Sequence, residues 1–254
     1  MANCILFGGE KGGVGKSTTA VNIAIMASLM GQDTLFVDTD KQRSTSKFFE
    51  RRNERGLIPK IPCVHIMGKY LHSEIENLAS KYAVVIIDAG GRDSVELRSA
   101  MVTSAVSKLY SPLQPCEFDM DTLETIDELT ELSRTYNPHL QTYILLNMCP
   151  THTRITTTDE AKAVIRDVFA ENLQLCSVTL GHRVSYQYSI SHSKSVVEYE
   201  AEEIKRLPPY RAKKYLHKAS NEMSALYQHI FKTPFSSLIP ETLIEAKKRA
   251  SNEQ

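Results

Sequence analysis

Residues 8–20 read GGEKGGVGKSTTA, and the parsing of that stretch decides the fold. Before it lies a short apolar run, CILFG at 4–8. After it, from Lys16, comes a helix-like run to residue 30. Strand, glycine-rich turn and helix form the setting of a phosphate-binding loop. Gly12, Gly13 and Gly15 carry no Cβ, so the backbone can curl around a phosphate. With Val14 they form a turn whose N–H groups point inward, where the helix N-terminus adds partial positive charge. In this reading Lys16 bridges the β- and γ-phosphates, the Ser17 hydroxyl ligates Mg²⁺, and Thr18 reaches the α-phosphate. The bland alternative is a glycine turn that merely precedes Lys-Ser, and it leaves the register of strand, glycines, lysine and hydroxyl to chance. One departure stands out. The strict pattern places a glycine, then four residues, before Gly15 and Lys16, and at that first position this chain has Glu10, followed by Lys11.

Beyond the loop, short apolar runs alternate with longer helical patterns. Strands are expected at 4–8, 34–38, 63–66, 83–88, 107–111, 142–148 and 175–180, and helices at 16–30, 44–55, 70–81, 94–105, 119–135, 158–170, 194–203 and 209–231. Strands 83–88 and 142–148 are almost wholly apolar, as strands covered on both faces are. The alternation predicts an α/β fold: a doubly wound, mostly parallel sheet with helices on both faces. One domain is expected over 1–232, with a polar tail or helix at 233–254.

Thirty lysines and arginines balance thirty aspartates and glutamates, so any nucleic-acid or membrane contact must come from a local patch. The five cysteines lie far apart without a C-x-x-C pair, which argues against a zinc or iron–sulfur site and suits a reducing cytoplasm. The eight histidines show no zinc spacing, and no Gly-x-Ser-x-Gly elbow is present. Neither a signal peptide nor a membrane-spanning run is expected.

Two strand ends carry acid. LFVDTDKQRS places Asp38 at the end of 34–38 and Asp40 just past it; VVIIDAGGRDS places Asp88 at the end of 83–88. Ligands of doubly wound sheets sit at the carboxyl ends of strands, so these acids and the loop are expected to share one crevice. Asp88 suits a magnesium-bound water, Asp40 the attacking water, and Asp38 the support of Ser17 and the metal shell. Each aspartate also suits a turn or helix cap.

The stretch containing Lys11 resembles the deviant Walker A loop, x-K-G-G-x-G-K-S/T, of the ParA/MinD family of ATPases. The family varies at the position of Glu10, so the departure there is no defect. The resemblance implies ATP and Mg²⁺ as cofactors, and a homodimer in which Lys11 crosses the interface to the partner's nucleotide. VDTDKQ resembles the family's D-x-D-P-Q, with Lys41 where proline is usual. IIDAGG resembles its Walker B and switch II, with Gly90 and Gly91 as a phosphate-sensing turn. PLQPCEFDMDTL (112–123) resembles its proline-rich turn across the subunit face, and 183–199 a late segment. Asn147 stands where the family contacts adenine, although an asparagine closing a strand is also an ordinary turn former.

IKRLPPYRAKKYLHK (204–218) holds Lys205, Arg206, Arg211, Lys213, Lys214 and Lys218. These suit either a solvated helix face or phosphate contacts that read no bases. ATP-bound ParA-like dimers bind DNA non-specifically through late basic residues, and that resemblance favours the second reading, with Arg183 as a further candidate. The expected protein is a short ParA-type partition ATPase, cytoplasmic and nucleoid-associated with ATP. It would lack an upstream helix-turn-helix and work with a ParB-like centromere-binding or cargo adaptor protein that stimulates hydrolysis. A MinD-like membrane-cycling ATPase and a conjugation or cargo-positioning scaffold with little turnover stay open. The aliphatics of 238–248 are too few to predict stable membrane association.

Overall fold

The computed structural model describes residues 3–68, 70–91, 94–152, 156–212 and 217–236, the side chains of Phe118 and Ala212 excepted. Its frame is a seven-stranded parallel sheet: β1 (Asn3–Phe7), β2 (Thr34–Asp38), β3 (Cys63–His65), β4 (Val84–Asp88), β5 (Val106–Leu113), β6 (Gln141–Leu146) and β7 (Leu173–Leu175). The spatial order is β3-β2-β4-β1-β5-β6-β7. From β1 the chain passes outward to β2 and the edge strand β3, returns to β4 beside β1, and then builds the other side through β5 to β7. The expected doubly wound α/β architecture is therefore present.

The period of two in each strand divides the core. Ile5 and Phe7 of β1, with Phe36 and Ile86, face α1 (Lys16–Leu29), α2 (Ser44–Glu54), α9 (Val196–Arg206) and α11 (Lys218–Phe231). Cys4 and Leu6, with Leu35, Val37, Val85 and Ile87, face α3 (Leu71–Ala79) and α4 (Val95–Met101). Ile144 and Leu146 pack on α6 (Leu123–Arg134) and α7 (Thr157–Val168). Strands sandwiched in this way read as unbroken apolar runs, the pattern seen in the sequence.

Four expectations change. The helix foreseen at 119–135 is two, α5 (Glu117–Met120) and α6, separated at Thr122, whose hydroxyl donates back to the Asp119 carbonyl. The helix foreseen at 209–231 is interrupted. Past α10 (Pro209–Ala212), His217 sits in the left-handed region at φ 44° before α11 starts. The strand foreseen at 175–180 is shifted to β7, but Cys176 and Leu180 still donate backbone hydrogen bonds to Ile144 and Leu146. α8 (Val184–Ser191) was not foreseen, because its alternating tyrosines and serines lack a helical stripe. Helix α9 opens on a capping box: Ser195 and Glu198 satisfy each other's backbone N–H groups. The tail beyond 236 lies outside the described residues.

Candidate active site

Strand register assembles the site. Asp88 is level with Phe7 of β1 on one side and with Asp38 of β2 on the other. The three strand ends therefore deliver the 8–15 loop, the Asp38–Asp40 turn and Gly90–Gly91 to one place. Between them lies a cleft of about 1030 Å³, bounded by Gly12, Gly13, Lys16, Ser17, Asp40 and Gly91 among others.

The loop needs its glycines for different reasons. Gly13 and Gly15 have φ values of 76° and 90°, left-handed conformations that strain other residues. A Cβ at Gly12 or Gly13 would meet nothing within 4 Å, so both face the open cleft. A Cβ at Gly15 would run into the Asn147 amide. That amide clamps the loop: its nitrogen donates to the Val14 carbonyl (2.7 Å) and its oxygen accepts from Met148 N–H (2.8 Å). The side chain of Lys16 is nearly buried, and its ammonium donates to the Lys11 carbonyl. Burial lowers its pKa, against the opposing pull of Asp88, Asp40 and Asp119. The ammonium of Lys11 makes no hydrogen bond or ion pair with any described residue.

The carboxylates divide their labour. Asp88 is 1 % exposed, and its Oδ1 has no hydrogen-bond partner among the described residues. Burial pushes its pKa up to about 7, and Asp38 and Asp40 add to the rise, whereas the Ser17 hydroxyl and Lys16 draw it down. An orphaned, buried carboxylate oxygen beside a hydroxyl fits a hard divalent cation such as Mg²⁺. Asp88 and Ser17 are the residues that would hold it.

Asp38 is engaged on the side of α2. Its Oδ1 accepts from Asp40 N–H (3.0 Å), and its Oδ2 accepts from the N–H (2.8 Å) and hydroxyl (2.7 Å) of Ser46 in α2. With both oxygens engaged there, Asp38 sets the Asp40 turn and the start of α2, and no contact with Ser17 is formed. Asp40 accepts from Gln42 N–H (2.8 Å), and its Oδ2 lies 3.2 Å from where a Gly90 Cβ would stand. Gly91 approaches still closer to the loop. A Cβ there would stand 3.2 Å from the Lys11 carbonyl and from Lys16 Nζ, and 3.3 Å from Gly12 Cα.

A second cavity, of about 230 Å³, opens beside Thr18 and Asn147 and is walled by Leu180, Ile190 and Met223. Its rim is a network the sequence reading missed. Glu222 pairs with Arg183 and accepts from Gly181 N–H (3.1 Å) and the Tyr186 hydroxyl (3.2 Å). Arg183 is thus a pocket wall tied to a carboxylate. Asp119 was also missed as a site residue. It is 9 % exposed, accepts from Gln114 N–H (3.1 Å) and raises the Lys16 pKa. The only sequence signal for it was the resemblance of 112–123 to a proline-rich turn. Met148, in the left-handed region at φ 51°, separates the two cavities.

The late basic residues are not gathered in this way. Arg206 pairs with Glu203 (2.9 Å) and Glu202 (3.8 Å), and Arg211 lies over the Tyr210 ring. Lys205 lies in the last turn of α9, Lys218 begins α11, and Lys213 and Lys214 fall outside the described residues.

Comparison with known proteins agrees with the geometry. A family model described as ATPase MipZ matches residues 3–139, more than half of the chain. The chromosome-partitioning ATPase Soj of Thermus thermophilus is 42% identical over 53 residues, a match spanning only 21% of this chain and 21% of Soj. In fold, the chain is similar to MinD of Pyrococcus horikoshii complexed with Mg-ADP, with TM-score 0.63 and 16% identity over 91% of this chain and 97% of MinD. It is also similar to apo McdA of Cyanothece, with TM-score 0.65 and 13% identity over 89% of this chain and 99% of McdA. No helix among the described residues is long and apolar enough to cross a membrane. Sheet order, loop and family model lead to one conclusion: the chain belongs to the ParA/MinD family of ATPases.

Proposed function

We propose that the chain is a ParA-type, Mg²⁺- and ATP-dependent ATPase that dimerises on ATP, binds DNA non-specifically in that state, and segregates or positions plasmid or chromosome cargo. A centromere-binding or adaptor protein would stimulate hydrolysis and release, and unstimulated turnover would be weak. The assigned roles are those of the sequence reading. Lys16 and the backbone N–H groups of 12–18 hold phosphates, Asp40 orients the attacking water, and Asp88 with Ser17 holds Mg²⁺, which would neutralise charge on the phosphates. The base would enter the cavity beside Thr18, with Asn147 at its edge.

The observation that carries this reading is the contrast between the two loop lysines. Lys16 is buried and engaged inside its own cleft, while the ammonium of Lys11 has no described partner. A cation left over at the mouth of a phosphate cleft suits a second subunit's nucleotide. Sedimentation with Mg²⁺ and a non-hydrolysable ATP analogue tests it. The native chain should dimerise, and Lys11→Ala should bind the analogue yet lose dimerisation or stimulated turnover. Lone subunits for the native chain, or an unaltered Lys11→Ala, refute the reading. Retention on liposomes in place of DNA would move it to the MinD-like alternative.

A further inference from the structure

Among the described residues a second cationic face, outside 204–218, lies on α2. Between 41 and 60 six cations are exposed, Lys41, Arg43, Lys47, Arg51, Arg55 and Lys60, against two exposed carboxylates, Glu50 and Glu54. The whole chain, by contrast, carries no net charge. Arg43, Lys47, Arg51 and Arg55 recur every fourth residue, and residues so spaced are neighbours along one helix ridge. Like charges at that spacing repel one another unless an anion lies across them. Within the ridge Arg43 meets only Glu50, at 3.8 Å, and Lys47 and Arg51 form no ion pair with any described residue. Arg206 in the late segment, by contrast, is shared between two glutamates.

We propose that this exposed face of α2, led by Arg43, Lys47, Arg51 and Arg55, is the surface on which the phosphate backbone of double-stranded DNA lies. The inference rests on the DNA-binding part of the proposed function and relocates the contact. The ridge spans about 18 Å at ~1.5 Å per residue, a length over which a duplex presents about ten phosphate charges. Its chemistry suits a polyanion and no apolar partner. The large apolar residues of α2, Phe48 and Phe49, are buried, and none of the exposed large hydrophobic side chains falls between 41 and 60. A helix that enters an anionic membrane brings apolar side chains beside its lysines, and this face has none.

The ridge also begins at the cleft. Arg43 N–H donates to the Asp40 carbonyl (2.9 Å), and Ser46 is bound by Asp38. The DNA surface is thus anchored to the turn that carries the proposed hydrolytic aspartate, and the phosphate state of the cleft has a short covalent route to it.

The test is binding of a fluorescently labelled duplex of arbitrary sequence to the full chain with ATP and Mg²⁺, titrated across salt concentrations. Lys47→Ala/Arg51→Ala is compared with the native chain and with Lys205→Ala/Arg206→Ala. Both substituted α2 side chains are exposed, so nucleotide binding and the thermal midpoint should hold. Losing two phosphate contacts should flatten the slope of log affinity against log salt by about 1.8, at ~0.9 per contact. Affinity near 0.1 M salt should fall at least about tenfold, and the late-segment variant should behave as native. Native affinity and slope in the α2 variant overturn the inference and leave the ATPase and DNA reading intact. A native chain that retains no duplex with ATP overturns both. Retention on phosphatidylserine vesicles, lost in the α2 variant while duplex binding stays, overturns the choice of DNA.

Discussion

Replacing Asp88 by asparagine should stabilise the nucleotide-free protein above neutral pH. In the folded chain burial, with Asp38 and Asp40, lifts this carboxyl from 3.8 to about 7. The native state therefore holds the proton more tightly than the unfolded state does. Linkage fixes the sign: stability from this group is complete below pH 3.8 and drains away as pH rises through the folded value near 7. The loss runs at about 1.4 kcal/mol per pH unit within that window. Over some three units the penalty reaches about 4 kcal/mol, of which roughly half should survive relaxation and the imperfect fit of a buried amide. A gain of about 2 kcal/mol corresponds to a rise of ~4–8 °C in midpoint for a chain of this size. Urea unfolding of both proteins from pH 5 to pH 8, without nucleotide or metal, gives the comparison. The stability difference should open in favour of Asp88→Asn as pH rises. The variant should also lose the stabilisation that Mg²⁺-nucleotide gives the native chain, because a neutral amide replaces the carboxylate charge that a hard cation needs. A difference flat with pH, or a variant less stable at pH 8 than at pH 5 relative to native, refutes the electrostatic account of the cleft.

Lys16→Ala should abolish nucleotide binding, read by calorimetry, since no other described ammonium is buried against the loop. Asp40→Ala should bind ATP but release no phosphate, checked by a phosphate-release assay with the partner protein present. Gly91→Ala puts a methyl 3.2 Å from Lys16 Nζ and the Lys11 carbonyl, so nucleotide affinity should drop about tenfold, or ~1.4 kcal/mol; unaltered affinity would show that the loop yields freely. Arg52→Met strands the Glu198 carboxylate and the carbonyls of Ile58, Pro59 and Ser193. It should cost about 3 kcal/mol in urea unfolding, because half of a buried ion pair is left uncompensated.

The loop and the strand ends were legible because local chemistry decides them. A glycine forced to φ 90° beside a lysine, and an aspartate closing an apolar strand, have few other uses. Strand register then brings Asp38 and Asp88 level, which a sequence implies only through the fold class. What was not legible depends on distant partners. The engagement of Asp38 requires Ser46, eight residues on, to swing its helix start back onto the strand. Arg183 read as a free cation because Glu222, 39 residues later, is invisible as its partner until α8 and α11 pack. Helix α8 escaped because burial of Tyr186 and Ser189 alone does not mark a stripe, and the break at His217 has no proline or glycine to announce it. The basic ridge of α2 was printed in the sequence at four-residue spacing, yet its exposure became evident only when Arg52, in the midst of the ridge residues, was found buried.

A nucleotide-driven change in this chain has few places to occur. Helix α1 starts at the phosphate loop, and its Asn22 accepts from Val196 N–H of α9 (2.6 Å). Helix α9 holds α2 through the two contacts of Glu198 with Arg52, at 2.8 and 3.0 Å. Helix α2 returns to the sheet through Ser46 and Asp38. This circuit of buried contacts makes α1, α2, α9 and β2 one frame, and buried polar networks that are fully satisfied resist rearrangement. Asp40 belongs to the frame through its bonds to Gln42 and Arg43. The Gly90–Gly91 turn meets Asp40 and the loop by close approach, at the cleft where the γ-phosphate would lie on the proposed function. On the proposed function, a turn displaced by the γ-phosphate would bear first on Asp40, and through the Asp40–Arg43 bond on the base of α2, where the proposed DNA ridge begins.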